Sequence, residues 1–442
     1  MHLCDWAKID TEILHLLSAA REKKPVGVPF LSLSIPASPA DQLQFAKTFI
    51  SDQGSFSALW RDEIYSHDRI RIGYLSADFR HHALAQLAVG LFEHHDKSPF
   101  EIMAISCGPD DRSDLRNRIR SAVENFIDAG GMPDSVVAEF VRRRETDIIV
   151  DLSGFTQDNR FSVFARRVSP LQVNFLCYTG TMGADCMDYI IADPMVIPKD
   201  HFQFYSEKVV WLPDTYQAND RSRPISGRRP TRSECNLPDA AFVFCCFNST
   251  YKITPEVFAV WMRLLAKREG SVLWLLETNP TAAQNLCREA EAHGITPKRL
   301  IFAPTRPLAD HMARIGLADL FVDTLPYNAH TTASDALWAG VPVLTCLGDT
   351  FAGRVAGSLL KAVGLDELIT NSLEDYETLA LKLAKDRALL ASLRDKLARN
   401  REAYPLFDTA RFTRHIEAAY MTMWERYQRG ETPEHFVVAP IK

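Results

Sequence analysis

The sequence lacks the cysteine pattern of a disulfide-stabilised or zinc-binding protein. Its nine cysteines are an odd number, lie scattered along the chain and include no Cys-x-x-Cys pair. Cys245 and Cys246 are adjacent within an apolar run. Cysteines in such surroundings behave as small buried hydrophobic residues. We therefore expect free thiols in a reducing compartment.

Signals for secretion, membrane insertion and nucleic-acid binding are also missing. The amino terminus has no basic segment followed by an apolar one, and no uncharged apolar run approaches the ~20 residues of a membrane span. We expect a cytoplasmic protein. The formal net charge of -6 disfavours a general nucleic-acid binder, which usually carries a basic surplus.

Several catalytic signatures do not occur. The sequence has no phosphate-binding P-loop, no Gly-x-Gly-x-x-Gly, no His-Glu-x-x-His and no nucleophile elbow. These absences exclude an ordinary doubly wound kinase or dehydrogenase. The Asp-x-Asp triad with which many sugar transferases hold a cation is missing as well. His81 and His82 are adjacent, but no acidic or cysteine ligand is evident beside them, so we expect no metal and no cofactor.

What the 442 residues do contain is an alternation of short apolar runs and helical patterns, in two halves. This alternation is typical of mostly parallel sheets covered by helices on both faces. Arginines and prolines interrupt it over 221–240, which favours a solvated linker over a phosphate site. The predicted organisation is a helical lead-in (1–66), a Rossmann-like domain (67–220), that linker, a second Rossmann-like domain (241–405) and a helical tail (406–442).

The strongest functional pattern follows a predicted strand that ends at Asp323. A polar loop leads into a predicted helix that starts near His330, Thr331 and Thr332. Free N–H groups and hydroxyls at a helix amino terminus form a site for a diphosphate. Asp335, about one turn into the helix, is placed to accept hydrogen bonds from a ribose. Taken alone, the pattern fits a threonine-capped helix equally well.

Other polar residues follow predicted strands, where folds of this class bind their ligands. Lys252 comes after the first strand of the second half and can neutralise a diphosphate leaving group. Arg306 and His311, after a later strand, are candidates for contacts to a nucleotide base. His82 follows the first strand of the first half and can transfer a proton or hold an acceptor.

Together these segments resemble the catalytic region of the O-linked N-acetylglucosamine transferase family, including its Spindly-like and bacterial members. The likeness extends from about Arg69 to about Glu425. The motifs that carry it include Asp151-Leu152-Ser153-Gly154, Ser169-Pro170-Leu171-Gln172-Val173, Met187-Asp188-Tyr189-Ile190-Ile191-Ala192-Asp193, Tyr251-Lys252-Ile253 and His330-Thr331-Thr332.

The resemblance implies a GT-B fold of two facing Rossmann-like domains, with a UDP-sugar bound mainly by the second. It implies metal-independent inversion at the anomeric carbon by a Ser or Thr hydroxyl of a protein. The roles implied by position are a catalytic contact to the diphosphate for Lys252, a place near the acceptor for His82, and donor binding for the residues Ser249, Arg306, His311, His330, Thr331, Thr332 and Asp335.

The chain departs from the family pattern at three positions. Phe155 stands where many bacterial members have a histidine, and a phenyl ring cannot move a proton. Ser249 replaces a glutamine of the animal members, and Leu308 replaces a lysine. The first of these changes leaves a non-catalytic nucleotide-sugar binding module as an alternative, next to the same fold with another sugar or acceptor.

The family usually carries tetratricopeptide repeats ahead of its catalytic region. Only about 66 residues precede the first predicted strand here, and they resemble the family's short helical lead-in. We expect a protein acceptor. Either acceptors are captured without such repeats, or a separate repeat-containing partner supplies that role, or the chain is a truncated product.

Overall fold

The computed structural model describes residues 1–441, which form two compact units. We call residues 17–33, 37–222 and 405 onward the N-terminal unit, and residues 1–16, 34–36 and 223–404 the C-terminal unit. No helix in the described part of the chain is long and apolar enough to cross a membrane.

The strands are short and largely buried, as expected for parallel sheets covered on both faces. In chain order they are β1 (Ile70–Ser76), β2 (Phe100–Ser106), β3 (Asn125–Asp128), β4 (Ile148–Asp151), β5 (Leu171–Asn174), β6 (Tyr189–Ala192), β7 (Lys208–Trp211), β8 (Phe242–Cys246), β9 (Ser271–Leu276), β10 (Leu300–Ala303), β11 (Leu320–Val322), β12 (Val343–Cys346), β13 (Ile369–Thr370) and β14 (Phe436–Val437).

Helices separate most of these strands. They are α1 (Ile9–Arg21), α2 (Pro39–Asp52), α3 (Ala83–His94), α4 (Asp114–Ala122), α5 (Asp134–Arg143), α6 (Phe161–Ala165), α7 (Pro255–Lys267), α8 (Pro280–Ala292), α9 (Leu308–Ile315), α10 (Thr331–Trp338), α11 (Val355–Ala362), α12 (Leu373–Lys385), α13 (Arg387–Ala403) and α14 (Thr409–Gln428).

Each unit contains one parallel sheet with a reversal of strand order at its centre. The N-terminal sheet has the order β14-β7-β6-β5-β4-β1-β2-β3, and the C-terminal sheet has the order β10-β9-β8-β11-β12-β13. The chain therefore turns from one half of each sheet to the other between β1 and β4, and between β8 and β11. Ligands of doubly wound folds bind in the crevice that opens at such a switch point.

The sequence pattern predicts a long helical stretch over 375–403, and the structure divides it into two helices, α12 and α13. The break occurs at Asp386, whose carboxylate accepts a hydrogen bond from the Leu389 N–H at 2.9 Å and so caps α13. The edge strands β3, β13 and β14 are two to four residues long, and the alternation of apolar runs does not predict them.

The two units divide the chain differently from the predicted domains. The predicted lead-in is shared between both units, and the predicted tail belongs to the N-terminal unit, where α14 packs on α3 and β14 pairs with β7. Most of the predicted linker belongs to the C-terminal unit. Arg223 within it is only 4% exposed, so the solvated reading is wrong for this residue.

Candidate functional site

The switch point of the C-terminal sheet gathers most of the predicted donor-binding residues. Asn248 and Lys252 follow β8, and Asp323 follows β11, its neighbour in the sheet. The loop after Asp323 leads into α10, which begins at Thr331. The carboxyl ends of two adjacent parallel strands therefore bring these loops and the amino terminus of α10 to one edge of the sheet.

Lys252 is a buried amine with few polar neighbours. It ends a short 3-10 turn (Thr250–Lys252) and is 8% exposed. Its Nζ donates a hydrogen bond to the Asn328 carbonyl at 2.8 Å and lies 3.7 Å from the centre of the Tyr327 ring. Burial lowers the pKa of Lys252 below that of an ordinary lysine, and the charge of Asp323 opposes this shift. A bound anion would stabilise the charged form of this buried amine.

Asp323 organises the loop that supports Lys252. One carboxylate oxygen accepts hydrogen bonds from the N–H groups of Thr324 at 2.7 Å and Ala329 at 2.6 Å, and the other accepts from the Thr345 hydroxyl at 2.7 Å. Burial raises the pKa of the Asp323 carboxyl, while these hydrogen bonds and Lys252 lower it. Because its oxygens are occupied within the protein, Asp323 shapes the loop and is not placed to hold a ligand.

The amino terminus of α10 supplies donors for an anion. The main-chain N–H groups of Thr331 and Thr332 donate to no described residue, as expected in the first turn of a helix. His330, at the preceding position, has its Nε2 3.1 Å from the Ala352 carbonyl, so this nitrogen carries the proton. Burial and the charge of Lys252 hold the pKa of His330 well below its usual value. The ring is therefore neutral.

Asn248 links the two loops of the site, although it was not among the predicted site residues. Its side-chain N–H donates to the Thr324 hydroxyl at 2.7 Å, and its side-chain carbonyl accepts from the Thr332 hydroxyl. The residue is 2% exposed. Its position just after a central strand was a signal for it in the sequence.

Asp335 forms a buried ion pair with Arg223. The two side chains are 8% and 2% exposed, respectively. The Arg223 carbonyl also accepts a hydrogen bond from the Trp338 indole N–H at 3.3 Å, so α10 holds this segment at two points. Burial raises the pKa of the Asp335 carboxyl, and the Arg223 charge lowers it. No local pattern marked Arg223 as a partner of α10.

Of the remaining predicted donor-binding residues, Arg306 and His311 follow the edge strand β10, and Ser249 follows β8. His311, on α9, accepts a hydrogen bond from the Arg314 Nε at 3.0 Å and packs edge-on against Phe247. Burial, followed by the Arg314 charge, lowers the pKa of His311 to about 4, so its ring is neutral and its other nitrogen can donate. Arg306 and Ser249 are both exposed.

His82 belongs to the N-terminal unit, where it precedes α3. Its Nδ1 accepts a hydrogen bond from the Leu84 N–H at 3.2 Å and lies 3.5 Å from an Asp78 carboxylate oxygen. The expectation that no acidic residue stands beside the histidines is therefore wrong. Burial lowers the pKa of His82, and the Asp78 charge opposes the shift. Among residues 1–441, no group of three or more potential metal ligands is present; the predicted absence of a metal stays a prediction.

Phe155, the residue that replaces a histidine of bacterial family members, is part of an aromatic core cluster. It is buried, and its ring centre lies 5.1 Å from that of Phe49 and 5.2 Å from that of Tyr178. The preceding Gly154 has a φ of +53°, and an added Cβ would come within 2.4 Å of Tyr178. Packing therefore accounts for both residues.

Comparison with known proteins identifies the family to which this sequence is similar. A family model described as Glycosyl transferase family 41 matches residues 36–228 and 224–416. Arabidopsis thaliana SEC, named a probable UDP-N-acetylglucosamine–peptide N-acetylglucosaminyltransferase, is 34% identical over 428 residues, which cover 93% of this chain and 44% of SEC. SPINDLY of Solanum lycopersicum, with the same enzyme name, is 33% identical over 372 residues, which cover 82% of this chain and 39% of SPINDLY. The chain thus spans less than half the length of these relatives.

A solved structure adds evidence for the fold. The O-GlcNAc transferase of Thermobaculum terrenum, determined as a mutant, superposes with a TM-score of 0.83 at 31% identity, covering 90% of this chain and 76% of that one. The two parallel sheets and this likeness confirm the predicted α/β class with two Rossmann-like units of the GT-B type. Since the family model and these relatives cover most of the sequence, the chain belongs to glycosyl transferase family 41.

Proposed function

We propose that this protein transfers N-acetylglucosamine from UDP-N-acetylglucosamine to Ser or Thr hydroxyls of proteins, with inversion and without a metal ion. The observation that carries the proposal is the buried Lys252 ammonium at the same sheet edge as the free N–H groups of α10. The enzyme names of SEC and SPINDLY suggest the sugar and the protein acceptor.

The diphosphate of the donor binds at the amino terminus of α10. The main-chain N–H groups of Thr331 and Thr332 and the dipole of the helix attract the anion. His330 is neutral, and its Nε2 proton is used within the protein, so it shapes the loop without adding charge. Lys252 supplies the positive charge.

The uridine part of the donor extends toward Asp335 and α9. One Asp335 oxygen bonds Arg223, and its carboxylate can still accept a hydrogen bond from a ribose hydroxyl. The neutral His311 offers a ring N–H to a base carbonyl. The exposed Arg306 and Ser249 complete the donor contacts that we propose.

Transfer breaks the bond between the anomeric carbon and the β-phosphate oxygen while the acceptor oxygen attacks that carbon from the opposite side. Negative charge grows on the departing UDP, and Lys252 with the α10 N–H groups stabilises it more strongly than in the ground state. The acceptor hydroxyl releases a proton, and His82 is our candidate to receive it.

His82 can accept the proton of the acceptor only with a ring nitrogen that carries no proton of its own. With Nδ1 accepting from Leu84, the proton sits on Nε2, and that nitrogen is a donor. Moving the proton to Nδ1 would free Nε2 to act as a base, and Asp78 at 3.5 Å is placed to stabilise this tautomer. Asp78 would then orient the base, as carboxylates do for catalytic histidines.

The test is binding and turnover of a panel of UDP-sugars by the purified protein in the presence of EDTA, with UDP release and sugar transfer to a lysate protein as readouts. We expect UDP-N-acetylglucosamine to bind and to be transferred with EDTA present. Preference for another UDP-sugar would change the donor but keep the reaction class. Binding without any turnover would favour a nucleotide-sugar binding module, and no binding of any UDP-sugar would overturn the proposal.

A further inference from the structure

A chain of hydrogen bonds with one fixed direction runs through the donor site. It ends at the Tyr327 main-chain carbonyl, which can only accept, so the Thr324 hydroxyl must donate to it across 2.6 Å. The Thr324 oxygen in turn accepts from the Asn248 side-chain N–H at 2.7 Å. The amide of Asn248 therefore presents its oxygen to Thr332.

The fixed direction of these hydrogen bonds determines what the Thr332 hydroxyl can donate to. Its hydroxyl has one proton, and this proton is donated to the Asn248 oxygen. An anion at the start of α10 needs donors, and the Thr332 side chain has none left to give. Thr331 is different, since its hydroxyl has no hydrogen bond to another described residue and remains available to a ligand.

We propose that Asn248 is a positioning residue for the diphosphate, and that the two adjacent threonines have different tasks. Asn248 ties the first turn of α10 to the loop that carries Tyr327 and supports Lys252. Thr332 serves as the anchor of this tie and contacts the diphosphate only through its main-chain N–H. Thr331 contacts the anion with both its hydroxyl and its N–H. This assignment rests on the proposed function, because it concerns the same donor site.

The geometry of the tie explains why it matters for binding. Asn248, Thr324 and Tyr327 are all buried, so a lost partner would leave a polar group without water to replace it. The Tyr327 ring lies against the Lys252 ammonium, whose Nζ donates a hydrogen bond to the Asn328 carbonyl. The Asn248 amide therefore fixes the distance between the N–H groups of α10 and the Lys252 ammonium, which are proposed to bind the same anion.

The experiment compares Asn248→Ala, Thr332→Val and the matched neighbour Thr331→Val, the two double variants that combine Asn248→Ala with each threonine change, and Thr332→Ser as the conservative variant. Urea unfolding without ligand and dissociation constants for UDP and uridine are measured for each. We expect Asn248→Ala and Thr332→Val each to weaken UDP binding about tenfold, and their double variant to weaken it by little more than either alone. Uridine affinity should change much less. Thr332→Ser keeps the hydroxyl and should therefore bind UDP as the unaltered protein does.

Thr331→Val should weaken UDP binding without lowering the stability of the unliganded protein, and its effect should add to that of Asn248→Ala. Thr332→Val should lower the stability and not add to Asn248→Ala. Unchanged unliganded stability in Thr332→Val, with additive losses of UDP affinity, would overturn the division between the threonines. Lower stability with unchanged UDP affinity would overturn the positioning role alone. Failure of the unaltered protein to bind UDP would overturn the proposed function and this role with it, whereas the unfolding data would still test the hydrogen-bond chain.

Discussion

Arg223, the first residue of the 223–404 segment of the C-terminal unit, forms a buried ion pair with Asp335 in the middle of α10. Removing one member of a buried pair leaves an uncompensated charge and typically costs about 3–5 kcal/mol. We expect Arg223→Met to lower the free energy of unfolding by about that amount, measured by urea denaturation. The double variant Arg223→Met with Asp335→Asn should recover part of the loss, since no buried charge is then left alone. A loss below about 1 kcal/mol in the single variant would show that the pair does not stabilise this unit.

The ribose contact proposed for Asp335 predicts a change in nucleotide discrimination. Asp335→Asn weakens the acceptor of a ribose hydroxyl, so the preference for UDP over deoxy-UDP should shrink by about fivefold to tenfold. Calorimetric dissociation constants for the two nucleotides measure this ratio. Asp239→Asn, at an exposed position of the same unit, is the control and should keep the ratio. An unaltered preference of Asp335→Asn for UDP over deoxy-UDP would contradict the proposed ribose contact.

Replacement of Lys252 should affect turnover more than binding. Lys252→Met keeps the length of the side chain but removes the charge that we propose stabilises the departing diphosphate. By analogy with the loss of one oxyanion donor, about 3–4 kcal/mol, kcat should fall by roughly 10²–10³-fold. Rates of UDP release with saturating donor provide the measurement, and Lys298→Met at an exposed position is the control. A variant with wild-type kcat would contradict the role of Lys252.

UDP affinity should depend on pH through Lys252. Burial lowers the pKa of this amine, so the uncharged form accumulates at a lower pH than for an ordinary lysine. The diphosphate prefers the protonated form. Affinity should therefore be greatest below the lowered pKa and decrease above it, by at most about tenfold per pH unit for one proton. Calorimetry in two buffers of different ionisation enthalpy should detect proton uptake on binding, and Lys252→Met should abolish it; a pH-independent affinity would show that the amine stays charged throughout.

His82 offers a test of proton transfer. We expect His82→Ala to lower the rate of sugar transfer by about 10²–10⁴-fold, the usual contribution of a general acid or base, while UDP affinity stays the same. His81→Ala is the matched control, because the adjacent His81 is exposed and only its main-chain N–H bonds to Asp111. Equal transfer rates for the unaltered protein and His82→Ala would exclude this base.

Much of the fold follows from local patterns. Apolar runs such as Ile70–Ser76 and Ser271–Leu276 form strands, as their sequence predicts, since a buried parallel strand needs a continuous apolar stretch. The helix after Asp323 is predicted from the threonines at its start, a residue type that caps helices. Edge strands were missed because a two-residue pairing such as Ile369–Thr370 depends on its neighbour in the sheet and not on its own sequence.

The sequence by itself determined the class of fold and placed Lys252, Thr331, Thr332 and Asp335 at the strand ends and helix start where an anion can bind. Only the tertiary structure decided which hydrogen-bond or ion-pair partner each of these side chains has. Thr332 is committed to Asn248, 84 residues away, and Asp335 to Arg223, 112 residues away. Local periodicity carries no information about such distant partners, because a buried hydrogen bond is chosen by which loops the folded sheets bring together.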